Sequence, residues 1–212
     1  MIVQAAPLAK QFVTPTQQKE AAQTGMWTFL ASEVLFFGVL FFGYTVTRIH
    51  FPHAFALAGK QTDIVLGTVN TVVLLTSSYF VALAVQSAES GERARASRWL
   101  FATLGLGAVF LFIKAIEYHA DFDHQLIPGP RFHFDGTERR GAELFFYLYF
   151  VMTGIHALHL LIGMGLIGTV ALRLRAAPAQ PDTPLALSAL YWHLVDIVWI
   201  FLYPLFYLVL RA

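Results

Sequence analysis

Five long apolar blocks dominate this sequence of 212 residues. A helix needs about 20 apolar residues to cross the hydrocarbon core of a membrane, and each block is long enough. With 57% hydrophobic and only 13% charged residues, the chain has too few polar side chains to cover a water-soluble fold. The sequence therefore predicts an all-α membrane protein, a bundle of five transmembrane helices. The blocks run from about Gln23 to Ile49, Thr62 to Ser87, Ser97 to His119, Gly141 to Arg175 and Leu185 to Arg211.

The segments outside the blocks indicate one membrane domain and a short arm. Residues 1–22 are polar and lack the apolar core of a signal peptide, so we expect an N-terminal arm followed by a five-helix domain over residues 23–212. Two connecting loops, at about residues 86–98 and 175–184, are short and basic. The positive-inside rule therefore places the N-terminus inside and the C-terminus outside.

Charge and cysteine content exclude several classes of function. A net charge of +1 supplies no basic field for nucleic acid, so no nucleic-acid partner is expected. The chain contains no cysteine, which excludes disulfides, iron–sulfur clusters and any copper site built on cysteine.

Glu33 lies near the middle of the first apolar block. A charged carboxyl at that depth costs roughly 2.5 kcal/mol or more on insertion scales, so we predict that Glu33 is an intramembrane carboxyl with a proton-related function. Loss of water favours the neutral form, so the group is expected to be mostly protonated at neutral pH. The alternative is a structural carboxyl that bonds a hydroxyl or amide on a neighbouring helix.

Polar side chains in the later blocks are predicted to form an interhelical polar network. His156 and His159 lie three apart on one helical face, and so do His193 and Asp196, which could indicate a metal or haem site. Alternating orientation, however, spreads these groups over perhaps ~20 Å of depth at ~1.5 Å per residue. Ligands must lie within ~2–2.6 Å of one metal, so no metal site and no catalytic residue are expected in this chain. The network residues are Glu117, His156, His159, His193 and Asp196.

Other residues are expected to lie at helix surfaces and ends. Lys114 and Glu117 are predicted to form an interfacial ion pair with the lysine stem extending outward. Trp192 and Trp199 lie seven apart on one face, which favours packing or lipid contact. The second block is rich in small and hydroxyl residues and is predicted to be interior, and Pro204 is predicted to kink the fifth helix.

Four motifs follow one another along the chain: Ser32-Glu33-Val34-Leu35-Phe36-Phe37, Glu117-Tyr118, Thr153-Gly154-x-His156-x-Leu158-His159 and Trp192-His193-x-x-Asp196-x-x-Trp199. Their order is the one found in subunit III of haem–copper terminal oxidases. The chain resembles that family from about Trp27 to the C-terminus, in its five-helix form, which lacks the first two of the usual seven spans.

The resemblance implies an accessory subunit with no redox centre of its own. Subunits I and II of a terminal oxidase would be its partners, with haem and copper in the catalytic subunit and phospholipid bound by this chain. Such subunits support assembly and proton uptake and protect the core from inactivation, here in a bacterial cytoplasmic membrane. Glu33 matches the family's intramembrane glutamate that reacts with a hydrophobic carbodiimide. Arg173 resembles its lipid-headgroup arginine. Trp192 and Trp199, from their spacing alone, are also predicted to bind lipid.

Two departures from the family and three alternatives remain open at this stage. The two missing helices normally form half of the lipid cleft, and Ala186 stands near a position where several relatives carry glutamate. A stand-alone transporter with Glu33 and Asp196 as proton relays should show inverted repeats or broken helices, and neither is visible in the sequence. The others are a di-haem electron-transfer protein and a subunit III-like partner of a nitric oxide reductase. The sequence does not separate cytochrome c from quinol as electron donor.

Overall fold

The computed structural model describes residues 9–134, 138–176 and 183–208. Across these ranges the protein is a helical bundle without strands, and five of its helices are long and apolar enough to cross a membrane. This confirms the predicted fold class. The elements are α1 Pro15–His50, α2 Pro52–Gly59, α3 Ile64–Glu89, α4 Arg93–Asp123, α5 Arg139–Ala176, α6 Thr183–Tyr203 and a π-helical turn Pro204–Leu208.

Helix boundaries follow from local capping chemistry. The Asp63 side chain accepts hydrogen bonds from the backbone N–H groups of Val65 and Leu66, at 2.8 and 3.1 Å, and so begins α3. Gly91 has a φ of +81°, a conformation that favours glycine, and it forms the tight turn between α3 and α4.

Helix α1 begins before the first apolar block, and α2 was not predicted. Thr14 caps α1 by accepting from the Gln17 N–H at 3.2 Å, and Pro15 occupies the first turn, where its missing N–H costs nothing. Residues 15–22 of the expected arm are therefore helical. Pro52 plays the same part for the short helix α2, which follows α1 after a single residue.

The fifth span, not the second, lies at the centre of the bundle. In its most apolar window, 61% of the residues are buried, against 28% for α3 and 17% for α1. Helix α6 packs on α3 and α5, α4 packs on the same two helices, and α1 lies outside against α5 and α6. The prediction of an interior second span is therefore wrong. Its small and hydroxyl residues face α4 and α6, while Val65, Val69 and Val72 on the other side are exposed.

The α-helical part of the fifth span ends immediately before Pro204. The chain passes there from α6 into the π-helical turn. Carbonyl oxygens of this turn accept hydrogen bonds from other elements: the Tyr44 hydroxyl of α1 donates to Leu205 at 2.6 Å and the Thr62 hydroxyl donates to Phe206 at 3.2 Å. The turn is thereby fixed to α1 and to the start of α3.

Candidate functional site: polar clusters within the membrane bundle

Lys114 and Glu117 form an ion pair inside the bundle. The Lys114 Nζ lies 3.0 Å from Glu117 Oε2, and the two side chains are only 6% and 3% exposed. Tyr149 from α5 and Tyr207 from the π-helical turn complete the cluster. Their hydroxyl oxygens lie 2.9 and 3.1 Å from Nζ, and both hydroxyls donate to Glu117 Oε1.

This cluster matches its donors to its acceptors. The Lys114 ammonium has three N–H donors, which serve the Glu117 carboxylate and the two tyrosine oxygens. Its Nζ also lies 4.7 Å from the centre of the Tyr149 ring and 5.0 Å from that of Tyr118, within range of cation–π attraction. With an ammonium and a carboxylate the network is complete, which suits a structural junction of three elements better than a reactive centre.

The prediction that the lysine stem extends outward is wrong. The Lys114 ammonium instead contacts a carboxylate and two hydroxyls inside the protein. Asp121, one helical turn further along α4, is also buried, and its Oδ2 has no hydrogen-bond partner among the described residues.

Glu33 and His159 connect α1 to α5. The His159 Nε2 lies 3.0 Å from Glu33 Oε2, and His159 Nδ1 lies 2.9 Å from the carbonyl oxygen of Ile155. The Phe37 ring packs edge-on against the imidazole, with 5.3 Å between ring centres. Because the two side chains are still 15% and 16% exposed, the pair lies at the outer surface of the bundle.

The hydrogen bonds of His159 indicate where the protons of this pair lie. A carbonyl oxygen only accepts, so Nδ1 must carry a proton and donate it to Ile155. The contact between Nε2 and Oε2 then holds one proton, either on the carboxyl group or on the imidazole. Both arrangements have zero net charge, so one proton can be exchanged within the pair. Glu33 is thus paired with an imidazole, not with the hydroxyl or amide considered from the sequence.

Besides the 2.7 Å contact between the hydroxyls of Tyr203 and Thr68, three side-chain hydrogen bonds involving ring nitrogens of α6 join it to α3. The α3 partners are hydroxyls on the face that packs against α6, which explains the use of serine and threonine in this span. The pairs are Trp192 Nε1 with Ser77 Oγ at 3.1 Å, His193 Nδ1 with Ser78 Oγ at 2.7 Å, and Trp199 Nε1 with Thr71 Oγ1 at 3.0 Å.

The proposed lipid residues separate into two groups. Trp192 and Trp199 are 0% and 1% exposed, so the prediction of lipid contact is wrong for both, because their rings are enclosed by protein. Gly163 makes room for one of them: a Cβ there would lie 3.1 Å from the Trp192 ring. Arg173 is exposed in the last turn of α5, where a lipid headgroup can reach it.

The five residues predicted as one polar network do not form one. Glu117, His159 and His193 have separate partners, whereas His156 and Asp196 are buried without a hydrogen bond to any described residue. The His156 ring instead packs on Trp199, at 5.2 Å between ring centres. The Ser78 hydroxyl lies near the Asp196 carboxyl but outside hydrogen-bond geometry. Asn70 is a further enclosed side chain without a partner in the described part of the chain.

No group of three side chains suited to a metal ion occurs within residues 9–134, 138–176 and 183–208. The hydrogen bonds of Glu117, His159 and His193 run to three separate partners, and His156 and Asp196 have no hydrogen bond to a described residue. The sequence also missed Tyr149 and Tyr207 as members of a polar cluster. Only the spacing of Lys114, Glu117 and Asp121 on one face of α4 points toward that cluster, and it does not identify the tyrosines.

Comparison with known proteins decides the family. The family model described as cytochrome c oxidase subunit III matches residues 12–209, nearly the whole chain. The chain belongs to the cytochrome c oxidase subunit III family. This confirms the resemblance drawn from the four motifs.

Curated relatives of this subunit III chain cover two kinds of oxidase. Cytochrome c oxidase subunit 3 of Thermostichus vulcanus is 32% identical over 88% of this chain and 87% of the relative. Cytochrome bo(3) ubiquinol oxidase subunit 3 of Pseudomonas aeruginosa is 31% identical over 87% of this chain and 83% of the relative. Heme-copper oxidase subunit I+III of Aeropyrum pernix is 29% identical over 90% of this chain, which covers 23% of that longer protein.

Proposed function

We propose that this chain is an accessory, cofactor-free subunit of a haem–copper terminal oxidase that supports assembly, binds phospholipid and assists proton uptake by the catalytic subunit. The observation that carries the proposal is the family match over residues 12–209. The polar clusters agree with it, because they join helices in pairs and triplets and do not gather around a common centre.

The proposed partners are subunits I and II of the oxidase, with haem and copper in the catalytic subunit. The Aeropyrum pernix relative carries subunits I and III in one polypeptide, according to its name, which supports direct packing of this chain on subunit I. Helix α1 has an extended apolar face for such contacts or for lipid, since Leu35, Val39 and Phe42 are each at least 70% exposed.

Glu33 is proposed as the proton-related carboxyl. The single proton that it shares with His159 can move between two groups without changing the net charge of the pair, so its transfer does not place a bare charge in the membrane. The residual exposure of both side chains leaves this proton accessible from outside the bundle.

Lipid binding and orientation are proposed from the basic end of the bundle. Arg173 and Arg175 end α5, and Arg93, Arg95 and Arg98 lie in the first turns of α4. Cations at this position suit the anionic headgroups of the inner leaflet, which supports a multi-pass protein of a bacterial cytoplasmic membrane with its N-terminus inside and its C-terminus outside.

The transporter alternative receives no support from the helices. Transporters of that kind use discontinuous helices whose ends face the substrate near the membrane midplane. The five described spans are continuous, apart from the π-helical turn that closes the fifth.

Depletion of this chain from the oxidase tests the proposal. An oxidase lacking it is expected to begin oxygen reduction at a normal rate, to lose activity progressively during turnover, and to take up protons more slowly. Adding back the full chain should restore both properties. Unchanged proton uptake and an unchanged lifetime in turnover would contradict the proposed support of proton delivery and protection.

A further inference from the structure

The first two turns of α4 carry a basic surface that borders two adjoining cavities. One cavity, of about 620 Å³, is bounded by the loop from Gly91 and by Arg93, Arg95 and Arg98. The second, of about 220 Å³, continues from the same arginines along the helix. We define the α4 basic groove as the surface formed by Arg95, Arg98, Trp99 and Ala102, which line the second cavity.

The charge at the mouth of the groove favours an anion. Arg95 and Arg98 line both cavities, and the lining of the second cavity contains no acidic residue. Glu92 pairs with Arg95 at 3.0 Å, but both side chains are more than half exposed, and an exposed pair of this kind contributes only about 0–1 kcal/mol. Arg98 is exposed and has no ion-pair partner among the described residues. A guanidinium group binds phosphate oxygens through two parallel N–H donors.

The chemistry of the groove changes in a fixed order along one helix face. Arg95, Arg98 and Ala102 are three and four residues apart, so their side chains follow one another down α4 toward the membrane interior. Trp99 stands beside them, and its ring is held against Phe80 of α3 with 5.1 Å between ring centres. Ala102 then leaves an apolar gap one turn deeper.

This order is that of a phospholipid lying in the inner leaflet. Its phosphate would meet the arginines, its glycerol and ester region would meet the indole, and an acyl chain would pass over Ala102. A free inorganic phosphate would contact only the arginines and would not contact the apolar part of the groove. On this basis we propose that the α4 basic groove binds an anionic phospholipid, in a site separate from Arg173 at the end of α5.

The inference deepens the lipid-binding part of the proposed function and rests on it. Its test uses the purified full chain in zwitterionic detergent, so it does not depend on the presence of an oxidase core. Failure to find oxidase partners would therefore leave this result unaffected, and failure here would leave the assignment as an oxidase subunit unaffected.

Native mass spectrometry with added phosphatidylglycerol or phosphatidylcholine measures the binding. The wild-type chain is expected to retain phosphatidylglycerol preferentially. Replacing Arg95→Gln and Arg98→Gln should weaken phosphatidylglycerol retention about fivefold for each arginine removed. The matched control is Arg131→Gln, which removes an exposed arginine outside the groove and should change nothing.

Two further measurements distinguish binding of a lipid from binding of a phosphate ion. Ala102→Trp fills the apolar gap without altering charge, so it should reduce phosphatidylglycerol retention while the arginines remain. Inorganic phosphate should compete no better than chloride at equal ionic strength. The proposal is overturned if the double arginine variant retains the lipid as well as the wild type does, or if Arg131→Gln weakens retention equally. It is also overturned if Ala102→Trp has no effect while inorganic phosphate displaces the lipid.

Discussion

At the scale of single residues, the tautomer of His159 determines which substitutions of Glu33 are tolerated. Its Nδ1 proton is committed to the Ile155 carbonyl, so Nε2 in a neutral ring needs a donor from α1. A protonated carboxyl supplies one, and so does a glutamine amide. A leucine supplies none and would leave the imidazole nitrogen unpaired.

Glu33→Gln is therefore expected to leave folding and complex assembly intact, whereas Glu33→Leu should destabilise the chain by about 1–3 kcal/mol. Thermal unfolding of the purified chain and the yield of assembled complex measure both effects. The glutamine variant should also lose labelling by a hydrophobic carbodiimide, because its target carboxyl is gone. A severe loss of assembled complex with Glu33→Gln would show that the amide cannot replace the shared proton.

The buried pair Lys114–Glu117 and the exposed pair Glu92–Arg95 offer a direct comparison on one helix. Both pairs have a three-residue spacing and a 3.0 Å contact. The side chains of Lys114 and Glu117 are only 6% and 3% exposed, whereas those of Arg95 and Glu92 are about half exposed. Lys114→Met should cost about 3–5 kcal/mol because it leaves the Glu117 carboxylate enclosed without its cation. Arg95→Gln should cost at most about 1 kcal/mol. Chemical denaturation in detergent measures both.

The double variant Lys114→Met with Glu117→Leu completes the test of this cluster. It removes both charges together, so it should be less destabilising than the sum of the two single changes. Additive costs would mean that the two side chains do not depend on each other, and the described network would then be wrong.

At the scale of elements, the π-helical turn depends on close contact with α3. A Cβ added at Gly67 would lie 2.8 Å from Tyr207 Cδ1, and the Tyr207 hydroxyl is bonded to Glu117 and lies near Lys114. The ring cannot retreat without breaking those bonds. Glycine is thus required in α3 at this position by packing and not by backbone conformation.

Gly67→Ala is expected to destabilise the chain by about 1–3 kcal/mol through this overlap. The matched control is Gly43→Ala in α1, where an added Cβ meets nothing within 4 Å. Since alanine is the better helix former, the control should be neutral or stabilising by about 0.5–1 kcal/mol. The melting temperatures of the two variants test this prediction. Equal shifts in melting temperature would refute the close contact between Gly67 and Tyr207.

Hydropathy and motif order predicted the number of spans, their approximate limits and the family. They could not predict which span is central, because small residues in α3 and aromatic residues in α6 both suit burial, and only packing distinguishes them. They also could not predict the partner of Glu33, since the register between α1 and α5 is a property of the folded bundle. The outward direction predicted for the Lys114 side chain was wrong for a related reason: its partners Tyr149 and Tyr207 are distant in sequence.

At the scale of the whole molecule, the bundle exposes apolar surface on several sides. Helix α1 is mostly exposed, the apolar sides of α3 and α5 are open, and the enclosed polar groups serve to join helices. A protein with this surface requires lipid or other membrane subunits on several sides. That arrangement suits a chain whose contribution depends on its neighbours.

The most direct measurement is affinity purification of the tagged full chain from its native membrane, followed by visible spectroscopy and subunit identification. Co-purification of a catalytic oxidase subunit is expected, with the haem bands of the preparation following that subunit when the two are separated. Recovery of this chain without any oxidase partner, or haem bands that remain with it after separation, would contradict its assignment as a cofactor-free accessory subunit.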